Sequence, residues 1–218
     1  MPKTVMVFAA HPDDEILGVG GTIRKLIIEG ASVISVILAH GRKEEQKRIS
    51  TCIEEANRQI GVSQVIFLGL PNLEMETIPL YTINQEIEKL LRTYTPEMVF
   101  THHYGDLNKD HQITFQAVFT SCRPLPGYSP AELLCFETPS STEWMAPFPE
   151  QSFKPNFFVN ISETLSEKLR ALRHYQIEMR LYPHPRSYEG VKHLAAVRGI
   201  TIGVPHAEAF EVIRRIWK

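Results

Sequence analysis

His11-Pro12-Asp13-Asp14-Glu15 sets a histidine and three acids side by side, directly after the apolar run Val5–Ala10. Imidazole and carboxylate bind divalent cations and carry protons in hydrolysis. His11 and Asp14 are three residues apart, so a tight turn or the first turn of a helix aims both at one point. Asp13, between them, projects in another direction. Acids also collect at helix starts because the helix dipole favours them there. That accounts for the carboxylates but not for a histidine closing an apolar strand beside them.

A second cluster lies about 90 residues on. Thr101-His102-His103-Tyr104 ends another apolar run, and Gly105-Asp106-Leu107-Asn108-Lys109-Asp110-His111 follows it. If the two runs are neighbouring strands, His111 approaches His11 and Asp14. Two histidines and a carboxylate then form a three-ligand site with an open position, as a catalytic zinc requires. The surrounding residues have simpler uses. His102 and His103 pack or hydrogen-bond at a strand end, Asp106 and Asn108 suit a turn and a helix cap, and Asp110 is placed as a charge at the helix end or as the partner that orients His111.

Both clusters need rigid elements behind them, and the chain supplies an alternation of β-branched runs and amphipathic stretches. Val5–Ala10, Val33–Leu38, Val65–Leu68 and Met98–Phe100 are short buried strands. Asp14–Glu29 carries an apolar stripe of Ile16, Leu17, Ile23, Leu26 and Ile27 and stops at Gly30. Ile49, Ile53, Ala56 and Ile60 form a second helix ended by Gly61, Ile83–Leu91 a third, and His111–Cys122 a fourth. The pattern predicts an α/β fold, a Rossmann-like, mainly parallel sheet with helices on both faces and ligand groups at the carboxyl ends of the strands.

Beyond residue 122 the pattern loosens. Arg123–Ser129 and Pro139–Pro155 read as long loops, and 123–185 as a whole as the walls of a pocket. Leu165, Leu169, Leu172 and Tyr175 or Gln176 mark one more helix and Ser187–Arg198 another, while Ala209–Ile216 fits strand or helix. No clean linker divides residues 1–218, so a single domain is expected. Gly18-Val19-Gly20-Gly21 lacks the third glycine of a dinucleotide loop and follows acids that would repel a pyrophosphate; close helix–sheet packing explains it better.

Composition limits the remaining classes. The 218 residues are 43% hydrophobic and 22% charged, with a formal net charge of −2, a balance typical of globular domains. The densest charged stretch, Arg42–Arg48, nearly cancels itself, which argues against a nucleic-acid partner. Cys52, Cys122 and Cys135 are odd in number and scattered, as free thiols in a reducing compartment would be. No apolar run would span a bilayer, and the acids at 13–15 interrupt what otherwise resembles a signal peptide. A cytoplasmic enzyme with a small-molecule substrate and no membrane partner is expected, and homo-oligomerisation is left open.

His11-Pro12-Asp13-Asp14-Glu15 with Gly18-x-Gly20-Gly21, Asp106–His111, and the tail Arg198-Gly199, Gly203 and Ala207–Phe210 together resemble the LmbE-like (PIG-L) family of zinc-dependent N-acetylglucosaminyl de-N-acetylases. The resemblance implies that His11, Asp14 and His111 bind zinc, one ion per chain, and that Asp13 is the general base. Iron, cobalt and manganese also suit such ligands. Many members carry a second histidine three residues before the ligand histidine, where it helps stabilise the oxyanion. Here that position is Asn108, whose amide donates a hydrogen bond but no proton. His184, His193 and His206 are the alternatives.

The implied substrate is a soluble N-acetylglucosamine derivative. Tyr104, Trp144, Phe148, Tyr182 and Tyr188 are candidates to stack on a sugar ring, and Arg42 and Arg186 to meet an acidic substituent. Two other readings compete, an amidase acting on a thiol–sugar conjugate and a metal-free Rossmann-like nucleotide-binding module.

Overall fold

The computed structural model describes residues 3–39, 46–125 and 128–217. Its seven strands form one sheet in the order β3-β2-β1-β4-β5-β7-β6. They are β1 (Thr4–Ala9), β2 (Ser32–Ala39), β3 (Gln64–Leu70), β4 (Met98–His102), β5 (Glu132–Phe136), β6 (Phe157–Asn160) and β7 (Ala207–Arg215). Strands β1 to β5 run parallel, and β7 is antiparallel to both of its neighbours.

Among the described residues six α-helices cover the sheet: α1 (Asp14–Ile28), α2 (Gln46–Ile60), α3 (Leu80–Tyr94), α4 (Lys109–Ser121), α5 (Leu165–Leu172) and α6 (Tyr188–Thr201). Alternation along β1 shows why its sequence is apolar throughout. Val5, Val7 and Ala9 pack with α1 and α2 on one face, whereas Met6, Phe8 and Ala10 pack with α3 and α4 on the other. A strand buried on both faces has no polar side to display. Gly30 (φ 91°) and Gly61 (φ 90°) end α1 and α2 in the left-handed conformation that glycine adopts freely. A Cβ at Gly18 would run into the Phe136 ring, so α1 lies on the sheet at a distance that requires glycine there.

Two strands were invisible in the sequence. β5 contributes only Leu133-Leu134-Cys135-Phe136 between a proline-rich loop and Glu137, and β6 is four residues long. Too few positions alternate in either for a period to emerge. The ambiguous segment near the C-terminus is strand β7, pinned between β5 and β6. All three cysteines are free, and among the described residues no helix is long and apolar enough to cross a membrane.

β1 pairs with β4, Val5 opposite Met98 and Val7 opposite Phe100. The chain leaves β1 toward β2 on one side and β4 toward β5 on the other. In open parallel sheets such a reversal of strand order opens a crevice at the carboxyl ends of the strands, where ligands bind. His11 lies two residues past the last residue of β1, and His102 ends β4.

Candidate metal centre and active site

The β1–α1 and β4–α4 loops bring His11, Asp14 and His111 together. One ligand atom from each lies within 4.8 Å of the others. His11 Nδ1 is 3.2 Å from His111 Nε2 and 3.4 Å from Asp14 Oδ2, and His111 Nε2 is 3.2 Å from Asp14 Oδ2. A backbone bond from the His11 amide to Asp14 Oδ2 (2.9 Å) closes the turn.

The far nitrogen of each imidazole meets a carboxylate. His11 Nε2 lies 2.9 Å from Asp110 Oδ2, and His111 Nδ1 lies 3.1 Å from Asp106 Oδ1. A proton on each far nitrogen leaves the lone pairs of His11 Nδ1 and His111 Nε2 facing each other and the Asp14 carboxylate. Such a set is self-repelling unless positive charge sits within it. The surrounding carboxylates likewise favour positive charge at this point. Burial opposes charge on His111, but Asp14 and Asp106 override it and lift its pKa to about 10. Burial likewise raises Asp14, yet the His111 charge and the His11 hydrogen bond hold it well below the usual carboxylate range. A divalent cation fits this donor set.

The carboxylates are themselves fixed. Asp110 accepts from the backbone amides of Leu73 (2.7 Å) and Met75 (3.2 Å). Asp106 accepts from the hydroxyls of Ser141 and Thr142 and from the Asn108 amide (2.8 Å). Asp110 therefore orients His11 and not its sequence neighbour His111, because adjacent residues on a helix point away from each other. Asp106, which the sequence marked only as a turn former, orients His111.

His102 lies beneath the centre. Ala10 N–H donates to its Nε2 (2.9 Å), which places the proton on Nδ1, 3.2 Å from Thr138 Oγ1. Its ring stacks on His111 at 3.9 Å, and burial, reinforced by the His111 charge, depresses its pKa. A neutral His102 thus packs against the ligand ring. His103 turns away to Gln151 O and Glu211.

Asp13 stands at the N-cap of α1 with φ 96° and ψ −29°, a left-handed conformation that costs a non-glycine residue on the order of 1–3 kcal/mol. Its side chain makes no capping bond. Oδ2 is buried without a hydrogen-bond partner, and Arg186 Nη1 is 3.6 Å away. Burial, with the Asp14 charge, pushes its pKa well up, while Arg186 opposes the rise. A carboxylate oxygen without a hydrogen bond in a cavity-lining residue is the kind of group that can accept a proton.

The centre opens into a cavity of about 370 Å³, at the small end of ligand pockets. Asn72 and Leu73 form one wall, Thr138–Ser141 a second, and Ile177, Glu178, Arg180 and Arg186 a third. Asp13, Leu73 (φ 59°) and Ser140 (φ 66°) are three of the four non-glycine residues with positive φ among those described, and all three line this cavity. Strain of this kind collects where function overrides local preference.

Asn108 also lines the cavity and caps α4. Its Oδ1 accepts from the Asp110 amide (2.9 Å), which leaves the Nδ2 donor free of that bond. Arg42 lies outside the described residues. His184, His193 and His206 are absent from the lining: His184 packs on Trp144, and His193 on Tyr182. No described aromatic of the Phe, Tyr or Trp type lines the cavity either, so the expected stacking platform is not part of its wall. Tyr104 instead packs between His103 and Phe115.

Residues 6–122 match the family model described as PIG-L, GlcNAc-PI de-N-acetylase. A diacetylchitobiose deacetylase of Thermococcus kodakarensis is 27% identical over 198 residues, covering 80% of this chain and 69% of that protein. The N,N'-diacetylchitobiose deacetylase of Pyrococcus horikoshii superposes with a TM-score of 0.79 at 24% identity, over 97% of this chain and 84% of the other. A 4-carboxy-2-hydroxymuconate hydratase of Pseudomonas putida superposes with a TM-score of 0.78 at 18% identity, over 99% and 98%. The same fold is therefore shared by proteins of different reaction type, and the residues at the centre have to carry the functional argument.

Proposed function

The chain belongs to the PIG-L family of GlcNAc-PI de-N-acetylases, and from that premise we propose that it hydrolyses the N-acetyl group of an N-acetylglucosamine-type amino sugar, with one zinc ion held by His11, Asp14 and His111. The observation that carries the reading is the convergence of those three groups with Asp13, one oxygen of which has no hydrogen bond, in the lining of one cavity. Zinc bound there would supply an acidified water and polarise the acyl oxygen.

The chain's own groups then divide the proton work. Asp13 accepts a proton from the attacking water as the new C–O bond forms, and returns it to the sugar nitrogen as the C–N bond breaks. The products are acetate and a free amine. Asp110 and Asp106 keep the two imidazoles turned inward, and Asn108, on the cavity wall, would donate from Nδ2 to the oxygen on which negative charge develops. The deacetylases among the related proteins support a sugar substrate. So does the wall of hydroxyl, amide and guanidinium groups, which offers hydrogen bonds to a polyol.

The test is a panel of N-acetylglucosamine glycosides, nucleotide sugars and sugar conjugates, assayed for acetate and amine with and without added zinc. Zinc-dependent release from the sugars supports the reading. Turnover confined to N-acetyl amino acids overturns the sugar assignment, and release that survives exhaustive chelation overturns the metal.

A further inference from the structure

Glu15 is an acid in the hydrophobic core, with none of its surface exposed. Both of its oxygens are engaged. Oε1 accepts from the Tyr175 hydroxyl (2.5 Å) and from Asn57 Nδ2 (2.9 Å). Asn57 is itself fixed by Ser35 Oγ, which donates to its Oδ1 (2.7 Å), and by a bond to Ile53 O (2.9 Å). Tyr175 is equally buried, and burial together with Glu15 raises its pKa, so its hydroxyl keeps the proton it donates. Toward the active site the clamp reaches the Asp13 backbone, whose N–H donates to Glu15 Oε2 (3.2 Å) and also interacts with the Tyr175 hydroxyl.

That contact falls on an unusual backbone. An aspartate at a helix N-cap ordinarily has extended backbone and accepts the first free amides of the helix with its own carboxylate. Asp13 does half of this. Its carbonyl accepts from Ile16 N (3.0 Å) and Leu17 N (2.8 Å) and starts α1, but its side chain makes no cap bond and its backbone is left-handed. A relaxed Asp13 would bring its carboxylate back onto the helix end, where it could not serve the reaction.

We propose that Glu15, locked by Tyr175 and Asn57, is a positioning residue that holds the Asp13 backbone in its left-handed conformation and so keeps the Asp13 carboxylate in the cavity. The role in catalysis rests on Asp13 being the proton acceptor of the proposed reaction; the clamp itself does not.

Tyr175→Phe tests this with little change of shape, since it removes one hydroxyl and keeps the ring. Turnover should fall about 10-fold through misplacement of the base, with KM and metal content unchanged and the Asp13 amide exchanging its hydrogen faster. In an Asp13→Asn background the same substitution should cost no further activity, because no base remains to be placed. Glu15→Gln should behave like Tyr175→Phe with a larger loss, because its single carbonyl oxygen cannot serve both sets of donors. If Glu15→Gln does not fold, Tyr175→Phe carries the test alone. Unchanged turnover and amide exchange in Tyr175→Phe would overturn the proposal. So would a loss that tracks metal content, or one that adds in full to Asp13→Asn. A wild-type protein that releases no acetate would refute the deacetylase reading, while amide exchange at Asp13 would still decide for or against the clamp.

Discussion

The two sides of the cavity are built differently. On one side, the three groups that converge come from the loop after β1 and the first turns of α1 and α4, and each is tied down from behind: His11 by Asp110, His111 by Asp106, and Asp14 by the His11 amide. The opposite side, Thr138–Ser141 and Ile177–Arg186, comes from connections that follow residue 122. Ser141 is held from the first side by Asp106, but along 177–186 the hydrogen bonds are local. Arg180 donates to the carbonyls of Ile177 and Met179, within its own loop, and the Arg186 amide donates to His184 two residues away. Strand ends locked by buried carboxylates place reacting atoms with little freedom, whereas loops that fasten to themselves change with little effect on the sheet. In the proposed reaction the first side would carry the chemistry and the second the choice of substrate. The family match, which ends at residue 122, follows the same division.

The sharpest way to break this division lies on the first side. His11→Ala, Asp14→Ala and His111→Ala should each deplete the metal and abolish turnover. Asp13→Asn should keep the metal and lower kcat by about 100-fold or more. Elemental analysis beside kinetics separates the two classes. Full metal content in all three ligand variants, or metal loss in Asp13→Asn, would reverse the roles of these residues.

One step further from the reacting atoms, Asp110→Asn and Asp106→Asn should each weaken metal affinity by about 10- to 100-fold. They should differ in a second respect. Asp106 also holds Ser141 and Thr142, so Asp106→Asn should raise KM as well. Titration with a zinc-competing chelator, followed by KM at saturating zinc, reads the two effects separately. An Asp106→Asn protein with normal KM would mean that the 138–142 wall is held by other contacts.

On the second side the effect should be smaller and of another kind. Arg180→Ala removes an exposed guanidinium from the cavity wall. Its KM should rise by about 3- to 10-fold, the size of one modest hydrogen bond, with kcat and metal content held. A kcat loss larger than the KM change would place Arg180 in the chemistry and blur the comparison.

The sequence was legible where its signals were local and strong. The β1–α1 cluster stands within five consecutive residues, so His11, Asp13 and Asp14 stand out from residue type and spacing alone. His111 followed once β4 was taken as the neighbour of β1, which the pairing bears out. What stayed hidden depends on contacts between distant segments. Asp106 and Asp110 look alike in the sequence, and only their places before and within the first turn of α4 tell which histidine each meets. Tyr175 and Asn57 look like ordinary core positions of amphipathic helices until Glu15 is found between them. The aromatics expected around the sugar were chosen by type and loop position alone, and the fold places them elsewhere.

The smallest expected effect concerns Asn108, which stands where the two sides meet and where a cap and a hydrogen-bond donor are the same side chain. Its Oδ1 caps α4 through the Asp110 amide, and that bond orients the Nδ2 group of the same amide. Asn108→Ala removes both functions. Loss of the cap should cost about 1 kcal/mol, a Tm decrease of about 2–4 °C for a chain of this size, with kcat reduced about 10-fold by loss of the donor. Asn108→Ser separates the two, because serine caps nearly as well as asparagine but its short hydroxyl does not reach as far. If Asn108 donates to the acyl oxygen, the serine variant keeps its Tm, loses kcat as the alanine variant does, and shows little change in KM. If Asn108 serves only as the cap, the serine variant is as active as the parent, and the donor must be sought among the remaining polar groups of the wall, with Arg186, 3.6 Å from Asp13, the first to examine.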